Sequence, residues 1–216
     1  MKDVALNVNA SLSMALYGGA GVGKSSCAMK MATDYLKNGK DVVWINTDMH
    51  EENLIRLIEE NQFGIFGEPP GKLHVYTVDI NDLTIDYLKN VLIEMTDYVG
   101  DTGSSIGLIV VDRVERNNNE VIEMLKAKYH DTETSLLFTK NYSTRDEAVR
   151  VSYICDYLYK INSDDTGDIK YDKYTMKIMK SRGLNLGIFT QVGPEKLDVK
   201  TNEGGTIKVL LYPKKD

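Results

Sequence analysis

Cysteine is scarce. The 216 residues hold two, Cys27 and Cys155, with no C-x-x-C pair between them. They read as two reduced core thiols of a cytoplasmic protein rather than as a disulfide framework. Histidine is nearly as rare, and His50, His74 and His130 are scattered without metal-ligand spacing, so they read as ordinary surface or packing residues. Long apolar runs are missing, so no segment is expected to span a membrane. The start of the chain carries Lys2, but Asp3, Asn7 and Asn9 interrupt any apolar run, so no signal peptide is expected. Neither end carries a lipidation pattern. A basic surplus is also lacking: 26 Lys and Arg face 32 Asp and Glu, a net charge of −6. Any nucleic-acid contact must then be local, or shared across an oligomer. There is no internal repeat and no low-complexity linker.

What is present is an ordinary soluble composition, 42% hydrophobic and 27% charged, at a length suited to one α/β domain spanning 1–216 with a short lead-in over 1–12. The most specific stretch is Gly18-Gly19-Ala20-Gly21-Val22-Gly23-Lys24-Ser25, a full match to G-x-x-x-x-G-K-[ST]. Its glycines let the backbone curl so that successive N–H groups face phosphate oxygens. Lys24 then reaches the β- and γ-phosphates, and the Ser25 hydroxyl holds Mg²⁺. Ser13 to Tyr17 reads as a strand feeding this loop, and Ser26 to Lys37 as a helix whose N-terminus faces the anion.

The rest alternates strands and helices. Strands are expected at 41–47, 73–77, 106–112 and 135–139. Helices are expected at about 51–61, from an Asn81 cap to about Tyr98, at about 119–129 and near 147–155. Gly64 to Gly71 is a Gly/Pro loop. Toward the end, 157–161 and 170–179 read as two strands joined by a polar turn, with a last strand over 206–212. Alternation implies a mostly parallel sheet flanked by helices, and the closing hairpin an antiparallel extension on its edge.

Phosphoryl transfer needs three further groups: a carboxylate in the Mg²⁺ shell, a group that orients water, and a cation for the transition-state charge. Asp112 follows Leu108-Ile-Val-Val111 and should lie at the C-terminal end of a central strand, where open α/β sheets bind ligands. Asp48, after the strand that follows the P-loop helix, reads either as a general base or as the N-cap of the helix beginning near Glu51. Lys180 and Arg182 alternate at the end of the hairpin strand and point the same way, either toward a neighbouring subunit's nucleotide or simply into solvent at a sheet edge.

These pieces, in this order, resemble the RecA-like ATPase core, and most closely the C-terminal motor domain of replicative hexameric helicases of the DnaB type. Gly18 to Ser25 is the phosphate loop. Val42 to Met49 is similar to the strand that ends in a catalytic acid followed by Met. Leu108 to Asp112 is the second Walker motif, Leu136 to Asn141 resembles the sensor strand, and Met179-Lys-Ser-Arg-Gly183 resembles the Lys-x-Arg motif that reaches across the subunit interface. The resemblance covers most of residues 13–190. Two positions depart from the pattern: the acid is Asp48 rather than Glu, and Lys140 stands where Gln or His is usual.

The resemblance implies ATP and Mg²⁺ as ligands. The phosphate loop and Ser26 would bind nucleotide, Ser25 and Asp112 would hold the metal, and Asp48 and Lys140 would act in hydrolysis, with Lys180 and Arg182 acting in trans within a homo-oligomeric ring or filament. It also implies single-stranded DNA as partner through local loops, with Lys140, Tyr142 and Arg145 as one candidate set and Arg113 and Arg116 as another; plain surface charge is the other reading of each. Two further functions fit a P-loop chain of this size: a nucleotide-dependent switch, loader or mediator, and a small-molecule kinase.

Overall fold

A computed structural model of the chain describes residues 12–59, 69–115, 118–130, 132–141, 155–164, 173–181, 198–201 and 206–210, with side chains as far as Ile161 except for those of 57–59. Along the chain the elements are β1 (Ser13–Gly18), α1 (Lys24–Lys37), β2 (Asp41–Asn46), α2 (Glu51–Glu59), β3 (Leu73–Thr77), α3 (Ile85–Thr102), β4 (Ile106–Val114), α4 (Asn119–Tyr129), β5 (Ser135–Asn141), β6 (Tyr157–Asp164), β7 (Lys173–Ser181), β8 (Asp198–Thr201) and β9 (Thr206–Leu210).

The strands form one sheet in the order β3-β2-β4-β5-β1-β6-β7-β9-β8. From β3 to β6 every neighbouring pair is parallel, and from β6 to β8 every pair is antiparallel. The central strands are apolar on both faces because both faces are covered. Met14, Leu16, Val42, Trp44, Leu108, Val110 and Leu137 pack with Ala28, Met29 and Leu36 of α1. Ala15, Val43, Ile45, Ile109, Val111, Leu136 and Phe138 pack with Leu88 and Leu92 of α3 and Ile122 and Leu125 of α4. Period two along each strand therefore sorts residues between an α1 layer and an α3/α4 layer.

The expected architecture is present, with differences at the ends of elements. α3 starts at Ile85 rather than at an Asn81 cap. Asp79 Oδ1 accepts both the backbone and the side-chain N–H of Asn81, at 2.8 and 2.9 Å, which holds Asn81 in a turn. Thr84 is the cap instead, its hydroxyl accepting from Tyr87 N at 3.2 Å. β4 and β5 run past their expected ends to Val114 and Asn141. The hairpin is only half an extension, since β6 pairs in parallel with β1 and β7 alone turns back. β8 was not expected. Its four residues, Asp-Val-Lys-Thr, carry too short an alternation to register as a strand. Residues 1–11 of the 1–12 lead-in, most of the 64–71 loop and residues 147–154 of the helix expected near 147–155 lie outside the described residues; Cys155 itself is buried just before β6 and is not helical.

β6 lies close against the chain where β1 becomes the loop. A Cβ on Gly18 would run into the Ile161 carbonyl and meet Val22 Cγ2 at 2.8 Å. Backbone cannot yield as a flexible side chain can. Gly18→Ala should therefore destabilise the fold by about 1–3 kcal/mol, read as a fall in thermal midpoint, whereas Gly100→Ala, which meets nothing within 4 Å, should not lower it.

Candidate functional site

β1, β2, β4 and β5 end together beside the start of α1, and the residues that follow their apolar stretches wall a single cleft. Gly23 enters α1 at φ 80°, a left-handed conformation that a residue with a Cβ adopts only with strain. No side chain caps the first turn of α1 and no acidic residue sits in it. Its amide donors and positive dipole end are thus directed at the cleft without an internal carboxylate to satisfy them. Lys24 is 8% exposed and donates through Nζ to the Gly19 carbonyl at 2.6 Å. Burial lowers its pKa, while the charges of Asp48 and Asp112 pull it back up.

Asp112 is the hub. It is 2% exposed, and its Oδ1 accepts from Ser25 Oγ at 2.9 Å and from Thr139 Oγ1 at 2.7 Å. Burial pushes its pKa up to about 6, against the two hydrogen bonds, which hold it down. Thr139 in turn accepts the Arg113 N–H at 2.6 Å. One carboxylate thereby joins the phosphate-loop helix to two strands.

The backbone changes parity immediately after Asp112. Val111 pairs with Phe138, but the next pair is Val114 with Lys140, so β4 has an extra residue at this point. Arg113 has φ 68°, the only positive φ outside glycine among the described residues. Asp112 faces the α1 side, where Ser25 is. Regular alternation would put Val114 there too, yet Val114 packs in the α3/α4 layer. Arg113 absorbs the difference, in the manner of a β-bulge that re-aims a side chain. Its NH1 donates to Asp48 Oδ1 at 2.5 Å and its NH2 to Glu115 Oε1 at 2.9 Å, and both carboxylates raise its pKa.

Asp48 stands on a braced turn. The Asn46 side chain, fully buried at the end of β2, donates to the Met49 carbonyl and accepts the Met49 N–H at 3.2 Å. Thr47 Oγ1 lies 2.7 and 2.6 Å from the carbonyls of Asp112 and Arg113, tying this turn to the bulge. Of the two readings of Asp48, the N-cap finds no support in the contacts. α2 begins at Glu51, the His50 carbonyl accepts from Asn53 and Leu54, and the Asp48 carboxylate goes to Arg113.

The cleft thus brings together Ala20, Gly21, Gly23, Lys24, Ser25, Ser26 and Asp48 of the expected set, with Arg113, Thr139 and Asn141. Gly18 closes β1, Gly19 supplies the carbonyl to Lys24, and Val22 packs against the α1 layer. Lys140 is placed elsewhere. It alternates with Phe138 and Leu136, which belong to the α3/α4 layer, and it is 6% exposed. Thr139 and Asn141 are its cleft-facing neighbours. Extending β5 to Asn141 and counting by two from Leu137 would have found both in the sequence.

Arg113 likewise differs from a loop cation offered to DNA, since it is engaged by two carboxylates at the cleft. Lys180 pairs with Leu158 in β7, and Leu158 pairs with Ala15. Its register is therefore below the phosphate loop rather than beside it. Arg182, Tyr142, Arg145 and Arg116 lie outside the described residues.

No family model and no curated protein matches the sequence. Solved structures do match the fold. The flagellar accessory protein FlaH from Methanocaldococcus jannaschii superposes with a TM-score of 0.57 at 16% identity, over 92% of this chain and 89% of that one. The likeness is one of fold: the chain is an α/β RecA-like domain. It does not single out DnaB-type helicases.

The raised pKa of Asp112 has a consequence for stability. A carboxyl whose folded pKa lies above its ordinary 3.8 contributes stability below that value and loses it as pH rises through about 6. In chelator-treated protein, Asp112→Asn keeps an oxygen for Ser25 and Thr139 without the buried charge. It should melt higher than wild type at pH 8, by roughly 1–3 kcal/mol, and the difference should disappear near pH 4. A variant that is less stable than wild type at pH 8 would contradict this.

Proposed function

We propose that the protein binds MgATP in this cleft and hydrolyses it as a RecA-like ATPase. The observation that carries the reading is the convergence of Lys24, Ser25 and Asp112 on the uncapped start of α1. The α1 amides and the loop backbone would receive the phosphates, and Lys24 would neutralise the β/γ oxygens. Ser25 and Asp112, already hydrogen-bonded, form an oxygen donor pair suited to Mg²⁺, which when bound supplies charge neutralisation at the phosphates. Thr139 orients the Asp112 carboxylate from behind. Asp48, on its braced turn, would orient the attacking water.

On the resemblance to DnaB-type motors we further propose a homo-oligomer in which Arg182, with Lys180, completes the neighbour's site. The register of Lys180 supports action in trans, since it is not level with its own phosphate loop. Single-stranded DNA is the proposed polymer. With Lys140 buried and Arg113 engaged at the cleft, Tyr142, Arg145 and Arg116 remain its candidate contacts.

A second reading, a nucleotide-dependent switch with slow turnover, is favoured by one observation: Arg113 already occupies an oxygen of the acid that would serve the water.

Turnover with and without single-stranded DNA separates these readings. Lys24→Ala should abolish nucleotide binding or turnover. Arg182→Ala should retain binding and lose turnover by on the order of 10³-fold, the usual scale for an arginine finger. Full turnover in Arg182→Ala would overturn the trans role, and tight binding with negligible turnover under both conditions would favour the switch.

A further inference from the structure

Arg113 is a cation of the cleft that neither the phosphate-loop motif nor the metal-binding carboxylate accounts for. Three features mark it. It occupies a left-handed backbone conformation, which for a non-glycine residue costs on the order of 1–3 kcal/mol and persists only where the surroundings impose it. The imposing contacts are Thr139 Oγ1 on its N–H and Thr47 Oγ1 on its carbonyl. The conformation turns the guanidinium away from the α3/α4 layer and into the wall of the cleft that Lys24 also lines. There its charge is near enough to Lys24 to lower that amine's pKa.

The guanidinium's present partners are exchangeable. The side chains of Asp48 and Glu115 are 40% and 45% exposed, and that of Arg113 is 33% exposed. Ion pairs this open to water contribute little to stability. The Arg113 Nε–H is buried and has no partner among the described residues. The fork is therefore not fully satisfied by two carboxylates that each take a single N–H. A terminal phosphate brings more negative charge and three acceptor oxygens in a geometry that a guanidinium fork matches bidentately.

We propose that Arg113 is an exchangeable clamp: its guanidinium passes from Asp48 to the terminal phosphate of a nucleoside triphosphate, and Asp48 is thereby released to hydrogen-bond the attacking water. This rests on the reading of the cleft as a triphosphate site. The cation is supplied in cis, from the bulge after Asp112, and is separate from any contribution of Arg182. It makes the arming of the acid conditional on the third phosphate, because a diphosphate leaves Arg113 on Asp48.

The test is the ratio of affinities for the β,γ-imido analogue of ATP and for ADP, both with Mg²⁺, measured by calorimetry. Wild type should prefer the triphosphate. Arg113→Met and Arg113→Asn should lose on the order of tenfold or more of that preference, the scale of one hydrogen bond between charged groups, with ADP affinity little changed. Asparagine tolerates the left-handed backbone, so it removes the guanidinium with less strain. Arg113→Lys should recover part of the preference.

Asp48→Asn should raise triphosphate affinity by removing the competing partner, and this gain should vanish in an Arg113→Met background. A gain that survives there is simple relief of repulsion between Asp48 and phosphate, and it overturns the exchange. Equal losses for both nucleotides would show that Arg113 merely supports the turn, and an unchanged ratio in both variants would likewise overturn the clamp; either leaves the nucleotide site standing. Failure of wild type to bind either nucleotide overturns the site and the clamp together.

Discussion

Asp112 Oδ1 is held by two hydroxyls from different elements, Ser25 at the start of α1 and Thr139 near the end of β5. An acid this buried is costly without hydrogen bonds, and these two both hold its pKa down against burial. Thr139 can serve only because β5 lies between β1 and β4 in the sheet. It therefore reaches Asp112 from its own strand end while lying beside the phosphate loop. Ser25 can serve only because Gly23 turns the loop into α1 at that point. The position of the helix start, the strand order and the ionisation of Asp112 are thus one constraint.

The same constraint reaches Asp48 by way of the backbone. Thr139 uses its hydroxyl twice, donating to Asp112 and accepting from the Arg113 N–H. That second bond helps hold the extra residue of β4 in place, and the extra residue aims Arg113 at Asp48. A structure without the bulge would still bury Leu108, Ile109, Val110 and Val111 correctly, but regular alternation would turn the guanidinium to the α3/α4 side of the sheet, away from Asp48. The local strain at Arg113 is therefore the backbone cost of aiming the guanidinium at the cleft.

Much of this was legible in the sequence. The run from Gly18 to Ser25 announces the phosphate loop, Leu108 to Val111 announces a central strand ending in Asp112, and alternating segments announce the doubly covered sheet. These signals are local and chemically specific. What was not legible depends on register. Lys140 and Thr139 are adjacent, and only the parity of β5 relative to the α1 layer decides which of them enters the cleft. Arg113 looks like any charged residue after a strand, since nothing in Asp112-Arg113-Val114 signals a left-handed residue where asparagine or glycine would be the ordinary choice. Asn81 looked like a cap because asparagine caps helices well, and Asp79 two residues earlier redirected it.

The two ends of the sheet use buried polar groups differently, and the difference locates the site. At the N-terminal ends of the parallel strands, Asp41 accepts from Lys72 N and lies 3.4 Å from His74. There also Ser13 and Asp156 bond each other's side chain and backbone, and Thr134 donates to the Ile106 carbonyl. These are contacts that close strand ends and leave the backbone relaxed. At the C-terminal ends, Asp112 carries a raised pKa, Arg113 a strained φ and an unpaired buried Nε–H, and α1 an uncapped first turn. Each of these is a cost that a purely structural end would avoid, and all fall within one cleft. Single costs of this kind occur elsewhere, at the buried Tyr35 hydroxyl and Trp44 Nε1–H and at the raised carboxyl of Asp34, but among the described residues the left-handed non-glycine residue, the raised Asp112 carboxyl and the glycine-led, uncapped helix start meet only here, as groups arranged for a ligand would.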